Sequence, residues 1–484
     1  MKLIIKVFPE IIIKSKPVRQ RMIKQLRQNI RAVLKDLEGN IVVSGSWDRL
    51  EVDSENTSED TDFEIIERVK NTPGIHHILK VTSHSFTDLE DILNQCIPLY
   101  QEQLKDKTFC VRAKRSGKHS FNSHELEQKV GGGLLHQTEA AGVKLRNPAI
   151  TVTLEVKDQT FYAIAERIEG LGGFPLGIQE KCLSLISGGY DSTVSSYLMI
   201  KRGICTHYCF FNLGGIAHEV GVKQVAHFIW KKYASSQRVR FYSVPFQEVV
   251  NEILKNVHHS MMGVVLKRMM LKAAETLAKS QGIPALVTGE AVAQVSSQTL
   301  TNLSVIDEMS SHLVLRPLAT TDKEDIISMA RKIGTEEFAR VMPEYCGVIS
   351  DRPTTAAKLD KIKHEEANMD MNVIEQAVEN VQITTIDKVL QSIQSVHDIE
   401  LKSIPDVDDV IVDIRHPDDQ EKSPLFLINN VILRLPFFEL SRKFPALDPD
   451  KNYLLYCDKG IMSELQAQEL IEKGCENVQV YRPK

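Results

Sequence analysis

Ser187-Gly-Gly-Tyr-Asp-Ser192 is the stretch that decides the reading of this chain. It follows Cys182-Leu-Ser-Leu-Ile186, an apolar run of buried-strand type, and precedes Thr193-Val-Ser-Ser-Tyr-Leu-Met-Ile200, which reads as the start of a helix. A Ser/Gly-rich turn between a strand and a helix N-terminus is an anion site. Backbone N–H groups converge there and the helix dipole adds partial positive charge. The two glycines allow the backbone to approach phosphate oxygens closely. Ser187, Gly188, Gly189 and Ser192 supply the donors, and Asp191 either orients the loop or holds Mg²⁺ against pyrophosphate. The lysine and the longer spacing of a P-loop ATPase are missing.

Outward from this loop, apolar runs at Leu183–Ile186, Tyr208–Leu213, Arg240–Val244 and Ala285–Thr288 alternate with helical segments over residues 176–345. That alternation predicts a doubly wound parallel sheet. Ligands of such sheets bind past the carboxyl ends of the strands. Gly289, in Val287-Thr-Gly-Glu290, and Gln298, in the polar segment Gln294–Leu300, therefore meet the same ligand from the opposite side. The helix Leu266–Ala278 carries Leu266, Met269, Met270, Ala273, Ala274 and Leu277 on one face, a core stripe. Residues 350–400 are charged, helix-prone and nearly glycine-free, and read as a helical connector.

The chain has 484 residues, enough for roughly three or four domains. Hydrophobic residues make up 42% and charged residues 25%, an ordinary soluble composition. The net charge of −5 excludes a wholly basic nucleic-acid binder, so any such surface is local. The first residues alternate with strand period and lack the apolar core of a signal peptide, and no run reaches the length of a membrane span. Eight cysteines are scattered without a CxxC pair or zinc-type cluster, which suits reduced thiols in cytoplasm.

At the N-terminus, Leu3–Val7 reads as a strand and about Lys16–Leu37 as a basic helix with Ile23, Leu26, Ile30, Val33 and Leu34 on one stripe. Glu51–Asp62 reads as an acidic loop or short solvated connection, and Pro73-Gly74 as a turn. These residues predict a small ferredoxin-like unit over 1–75. Further on, Thr108–Lys114 and Ala149–Val156 alternate as strands. Between them Lys105–Arg146 holds nine Lys/Arg against four Asp/Glu, a local excess of +5. With Phe121 and a glycine triplet, Gly131–Gly133, that marks a loop or a close backbone approach, this segment fits either folded RNA or a solvated charged face.

The C-terminal 405–484 predicts a compact α/β unit with buried strands Val410–Ile414 and Tyr453–Cys457. Cys457 opens Cys457-Asp-Lys-Gly-Ile-Met-Ser463, where a loop wraps the sulfur in N–H dipoles and stabilises a thiolate or persulfide. That loop, with Asp413-Ile-Arg415, resembles the active loop of rhodanese domains, although it has no arginine, which argues against thiosulfate as the donor. Cys346 lies in the Pro/Gly-flanked segment Met342–Val348. The other six cysteines read as buried and structural. The pair His76-His77 has no ligand partners nearby in sequence, which favours a packed or surface role.

The phosphate loop resembles that of N-type ATP pyrophosphatases, which adenylate a carbonyl-type oxygen. The chain as a whole resembles the tRNA 4-thiouridine synthase family (tRNA uridine 4-sulfurtransferases) in its long form. The resemblance is carried by Phe8-Pro-Glu-Ile11, Lys114–His119, Gly172–Pro175, Phe211–Gly215, Gln294–Asn302 and Pro343–Gly347 along with the two loops. It implies an α/β multidomain chain: a ferredoxin-like domain (1–75), a THUMP RNA-binding domain (76–170), a pyrophosphatase domain with helical connector (176–400) and a rhodanese domain (405–484). The implied reaction uses ATP and Mg²⁺ to adenylate O4 of uridine at position 8 of tRNA. Sulfur from a cysteine desulfurase, carried as persulfide on Cys457, then displaces AMP. By the same resemblance Cys346 forms a disulfide with Cys457, either after direct transfer or while releasing hydrosulfide, and a thiol reductant resets the enzyme. Leu185 and Ile186 flank adenine, Lys267, Gly289 and Gln298 contact the nucleotide, and Asp191 and Lys323 serve activation, where a cation stabilises developing phosphoryl charge.

Three alternatives remain. A 2-thiouridine synthase or an amide-forming ligase would share the loop but not the RNA-binding and rhodanese segments. A relay passing sulfur from Cys457 to a sulfur-carrier protein for thiazole synthesis need not use the ATP site and is compatible with the main reading. A pure tRNA-binding module would not need intact catalytic loops.

Overall fold

The computed structural model describes residues 1–484 except 47–48, 214–215, 341, 343–351, 392–400, 416–419, 421–422, 437–438, 441–442, 458–462, 464–465, 468–469, 472–473 and 484. Two compact units result. The first is Met1–Gln179 with Ile200–Ile204 and Lys232–Gln237, and the second holds the remainder.

One eight-stranded sheet organises the first unit, in the order Asn40–Ser46, Arg49–Glu55, Lys2–Val7, Ile75–Ser85, Thr160–Gly172, Ile150–Lys157, Thr108–Ser116, Gly142–Val143. Period-two alternation decides which residues the first strand buries on each side. Leu3, Ile5 and Val7 join the core under helix Lys16–Leu34, while Ile4 meets Leu79 and Val81 on the other face. The predicted acidic connection over 51–62 is not a loop. Leu50, Val52 and Ser54 point inward from strand Arg49–Glu55, so its acidic residues are the outward half of an alternating strand. Ser58 then caps helix Glu59–Lys70 by accepting from Thr61 N, and the acidic residues of its first turn complement the helix dipole.

The glycine triplet is not a loop either. It lies inside helix Ser123–Gln137, which Asn122 and Glu125 start with a reciprocal capping box. The expected close approach is real at Gly133, where a Cβ would lie 2.3 Å from both Leu93 methyls of helix Leu89–Leu104. Phe121, expected beside the basic segment, is 7% exposed and packs with Phe86 and Leu126 in the core. The nine basic side chains are all exposed, with Lys105 paired to Glu139 and Lys129 to Glu90.

In the second unit a six-stranded sheet runs Leu313–Leu315, Ala285–Val287, Cys182–Leu185, Thr206–Asn212, Arg240–Pro245, Gln382–Thr385. The first five strands are parallel and the last pairs antiparallel with Arg240–Pro245. Strand order reverses direction at Cys182–Leu185, which lies between Ala285–Val287 and Thr206–Asn212, and a crevice is expected at such a reversal point. The charged segment expected as a connector belongs largely to this core. Ala357, Ile362, Met369, Ile374 and Ala377 pack with helix Met262–Ser280, and residues 382–385 complete the sheet. Separately, five short parallel strands form a C-terminal sheet in the order Leu401–Lys402, Val478–Tyr481, Tyr453–Tyr456, Val410–Asp413, Ile432–Arg434.

Candidate active site

A cavity of about 510 Å³ lies past the carboxyl ends of the strands at the reversal point. Leu185, Ile186, Ser187, Gly189, Asp191, Ser192, Lys267, Gly289, Gln298 and Lys323 all line it. These residues span 139 sequence positions, from Leu185 to Lys323, yet the sheet topology brings them together. Gly188 is in the same loop with φ +83°, and a Cβ there would sit 2.6 Å from Met342 Cε.

The loop holds its own shape. Ser187 N donates to Ser192 Oγ at 3.1 Å, Ser192 Oγ reaches Gly189 O at 3.3 Å, and His218 Nε2 lies 3.0 Å from Ser187 O. Burial is the main reason that the His218 ring is pushed down to about 4, so at neutral pH it serves as a neutral strut. Helix Tyr190–Lys201 follows, and its first residues Tyr190, Asp191 and Ser192 line the cavity, where a helix start favours an anion. Gly289 lets the second segment touch this loop, since its Cβ would fall 2.6 Å from Asp191 C and 2.7 Å from Ser192 N.

Helix Met262–Ser280 faces the cavity at Gly263, Lys267, Met270 and Leu271, one helical stripe, while Val265, Met269 and Ala273 turn to the core. The expected methionine pair thus divides, with Met270 in the cavity wall. Asn302 is fully buried and pins that wall. Its Nδ2 donates to Ser296 O and Thr354 O, and its Oδ1 accepts from Ala357 N.

Two ion-pair systems form the polar end. Lys323 Nζ contacts both Asp191 oxygens at 2.9 and 3.0 Å, and Gln294 Nε2 donates to Asp191 Oδ2 at 2.9 Å. Lys267 Nζ donates to Glu290 Oε1 at 2.8 Å, and Arg316 Nε to Glu290 Oε2 at 2.8 Å. Burial pushes the Glu290 carboxyl up, but Lys267 and Arg316 outweigh that and hold it at about 2. Sequence reasoning assigned no role to Glu290, Arg316, Gln294 or His218. The rule that ligands meet the carboxyl ends of parallel strands points to two of them, because Glu290 and Arg316 each follow such an end.

The donor set suits a nucleoside triphosphate. It combines a helix start, ammonium groups, an apolar flank and a buried acceptor, Gln298 Oε1, with no hydrogen-bond partner among the described residues. Such an orphan buried acceptor matches an amino group on a ligand.

Cys457 is 8% exposed at the end of Tyr453–Tyr456. Ser463 N donates to its Sγ at 3.3 Å and Ser463 Oγ lies 3.4 Å away. Just past the neighbouring strand Val410–Asp413, Arg415 forks onto Asp413 at 2.9 and 2.7 Å, and its guanidinium sits 5.0 Å from the Tyr456 ring centre. Cys346 and the loop 458–462 lie outside the described residues. Of the six cysteines expected to be structural, five are buried and Cys475 is half-buried. Burial pushes Cys96 and Cys182 up to about 12, which makes them poor nucleophiles. His76 and His77 pack against each other, Nδ1 to Nδ1 at 2.8 Å. No cluster of potential metal ligands occurs among the described residues, and no described helix is long and apolar enough to cross a membrane.

Family models match almost the whole chain. A ThiI ferredoxin-like domain covers 2–78, a THUMP domain 86–163, the thiamine biosynthesis protein (ThiI) model 177–371 and a rhodanese-like domain 399–482. The tRNA sulfurtransferases of Shewanella pealeana and Pseudomonas putida are each 52% identical, matched over 100% of this chain and 100% of their own. The chain belongs to the tRNA sulfurtransferase family. Its α/β multidomain architecture is that of the family, with ferredoxin-like, THUMP, pyrophosphatase and rhodanese parts. A crystallised 4-thiouridine synthetase–RNA complex with bound ATP is also similar, at 26% identity and a TM-score of 0.69, covering 79% of this chain and 99% of that one. A Pyrococcus horikoshii protein shares the fold at a TM-score of 0.54, covering 69% of this chain and 100% of its own.

Proposed function

We propose that this tRNA sulfurtransferase binds ATP and Mg²⁺ in the cavity and makes 4-thiouridine at position 8 of tRNA. The observation that carries the reading is the convergence of the Ser187–Ser192 loop, Lys267, Gln298 and the Asp191–Lys323 pair on one cavity. Bound ATP supplies the adenylyl group that turns O4 of the uridine into a leaving group. Ser187, Gly188, Gly189 and Ser192 hold the phosphates through N–H and hydroxyl donors, and Lys267 adds a point charge. Leu185 and Ile186 flank the base, Gly289 lets the two nucleotide segments touch, and Gln298 accepts from the base amino group. Asp191 would hold Mg²⁺, which would offset the charge of the phosphates, and the Lys323 ammonium beside it stabilises charge on the phosphoryl oxygens. The basic segment Lys105–Arg146 holds tRNA phosphates.

Cys457 carries the sulfur as a persulfide loaded by a cysteine desulfurase, and the Ser463 N–H and hydroxyl stabilise its negative charge. The terminal sulfur attacks C4 and AMP leaves. The Cys346 thiolate then attacks Cys457 Sγ, breaking the bond to the transferred sulfur and leaving a Cys346–Cys457 disulfide. If Cys346 attacks the persulfide first, hydrosulfide departs and attacks C4 instead. Both routes leave a disulfide that takes two electrons from a thiol reductant, as expected in cytoplasm. A second use of Cys457, passing sulfur to a carrier protein for thiazole synthesis, is compatible with the match of residues 177–371 to a thiamine biosynthesis protein family.

The test incubates the full chain with unmodified tRNA, ATP, Mg²⁺, cysteine and a desulfurase, and reads 4-thiouridine by its near-ultraviolet absorbance. Wild type should give product, and Cys457→Ser and Asp191→Ala should give none. Sulfur delivery to a carrier protein should survive Asp191→Ala and be lost in Cys457→Ser. Product from Cys457→Ser would remove the persulfide route.

A further inference from the structure

The polar end of the cavity holds a chain of side chains to which the chemistry above gives no part. Glu290 is 7% exposed, and each of its oxygens is bonded. Oε1 accepts from Lys267 Nζ at 2.8 Å, and Oε2 accepts from Arg316 Nε at 2.8 Å and from Thr288 Oγ1 at 3.0 Å. Arg316 in turn places both terminal nitrogens on Asp307, at 3.0 and 2.5 Å. Each of its three nitrogens makes a bond to a carboxylate, which fixes the planar fork and makes Arg316 a rigid strut between Asp307 and Glu290.

Lysine presents a compact charge on a flexible stem, and its usefulness at a phosphate depends on where the ammonium is held. Here one of the three ammonium N–H groups goes to Glu290, and the side chain lines the cavity. We propose that Asp307, Arg316 and Glu290 form a positioning chain that fixes the Lys267 ammonium against the phosphates of bound nucleotide, a step that rests on reading Lys267 as a nucleotide contact. The two cations keep Glu290 ionised through the working pH range, so the anchor is permanent and not a proton switch. Glu290 acts only through Lys267. Its removal therefore weakens ATP binding and leaves tRNA binding alone, and it costs nothing more once Lys267 is gone.

The experiment is a double-mutant cycle on the full-length protein, with Glu290→Gln, Lys267→Met and the double variant. ATP binding is measured by calorimetry, and KM for ATP and for tRNA in the 4-thiouridine assay. Lys267→Met should weaken ATP binding by about tenfold or more, and Glu290→Gln by about tenfold. The double variant should match Lys267→Met alone, with KM for tRNA unchanged throughout. Glu290→Asp and Arg316→Lys, which keep the charges but shift the anchor, should fall between wild type and Glu290→Gln, and they carry the cycle if Glu290→Gln does not fold. An Lys267→Met protein that binds ATP normally would overturn both the nucleotide contact and the positioning chain. A normal Lys267→Met defect beside undiminished ATP affinity in Glu290→Gln would overturn the chain alone. So would a Glu290→Gln penalty that persists in the Lys267→Met background, because the carboxylate would then act through general packing.

Discussion

Gly289 and His207 show how single positions tie the sequence to the site. No side chain fits at Gly289, because any Cβ would strike the backbone of Asp191 and Ser192, which cannot swing aside as a side-chain tip does. Gly289→Ala should displace the phosphate loop at a cost of about 1–3 kcal/mol. The measurable results are a lower unfolding midpoint and ATP binding weakened at least about tenfold. Unchanged affinity would mean that the loop tolerates the shift. His207 is 4% exposed, and burial together with Lys181 and Arg240 lowers it to about 4. Its Nδ1 also accepts from Arg240 N at 2.9 Å, a bond that protonation breaks. With the folded value below the unfolded one, the unfolded chain binds the proton first as pH falls. The stability is therefore complete above about pH 6.5 and is lost toward pH 4, at about 1.4 kcal/mol per pH unit. His77 and His218 are lowered to about 4 as well, so urea titrations at pH 6.5 and 5 should show a slope of which His207 is one part. His207→Gln, which keeps an acceptor without a proton to gain, should lower the slope by about 1.4 kcal/mol per pH unit and leave the shares of the other imidazoles, and an equally steep slope in the variant would exclude His207 as a contributor.

The helix Ser123–Gln137 is the element whose sequence most misleads, since three successive glycines argue against any helix. Its capping box and its apolar positions Leu126, Val130 and Leu134 outweigh them, and the glycines give helix Leu89–Leu104 room to approach. Two neighbouring replacements should then act with opposite signs. A Cβ at Gly132 would meet nothing within 4 Å among the described residues, so Gly132→Ala should stabilise by about 0.5–1 kcal/mol through the loss of backbone freedom in the unfolded chain. Gly133→Ala drives a methyl into Leu93, itself 2% exposed, and should destabilise by about 1–2 kcal/mol. Thermal midpoints of the two variants, moving apart on either side of wild type, are the expected result. A common direction would show that propensity and not helix spacing governs this element.

Across the whole molecule a net charge of −5 coexists with nine exposed basic side chains on one segment, which concentrates the field where RNA phosphates are expected. Binding of tRNA should weaken steeply with salt. Replacing Lys114, Arg115 and Lys118 together by Gln should reduce the slope of log K against log salt by roughly two to three. ATP affinity should not change, because these residues lie in the unit that does not contain the cavity. Electrophoretic or filter-binding titrations over several salt concentrations decide the matter, and a slope equal to that of wild type would remove this segment from the RNA contact.

The sequence by itself determined the phosphate loop, the parallel strands around it and the strand-end cysteine. Each is a local property: an apolar run, a turn of small residues and a helix start declare themselves within about fifteen residues. Only the tertiary structure decided what stands around them. Arg316 reaches Glu290 across 26 positions and Lys323 reaches Asp191 across 132, separations at which spacing carries no information and only the order of strands in the sheet brings charges together. The same holds for Gln382–Thr385, a polar strand stabilised by its hydrogen bonds to Arg240–Pro245 and not by a pattern of its own. It holds also for the acidic half of Arg49–Glu55, whose inward face became legible only once the neighbouring strand was in place.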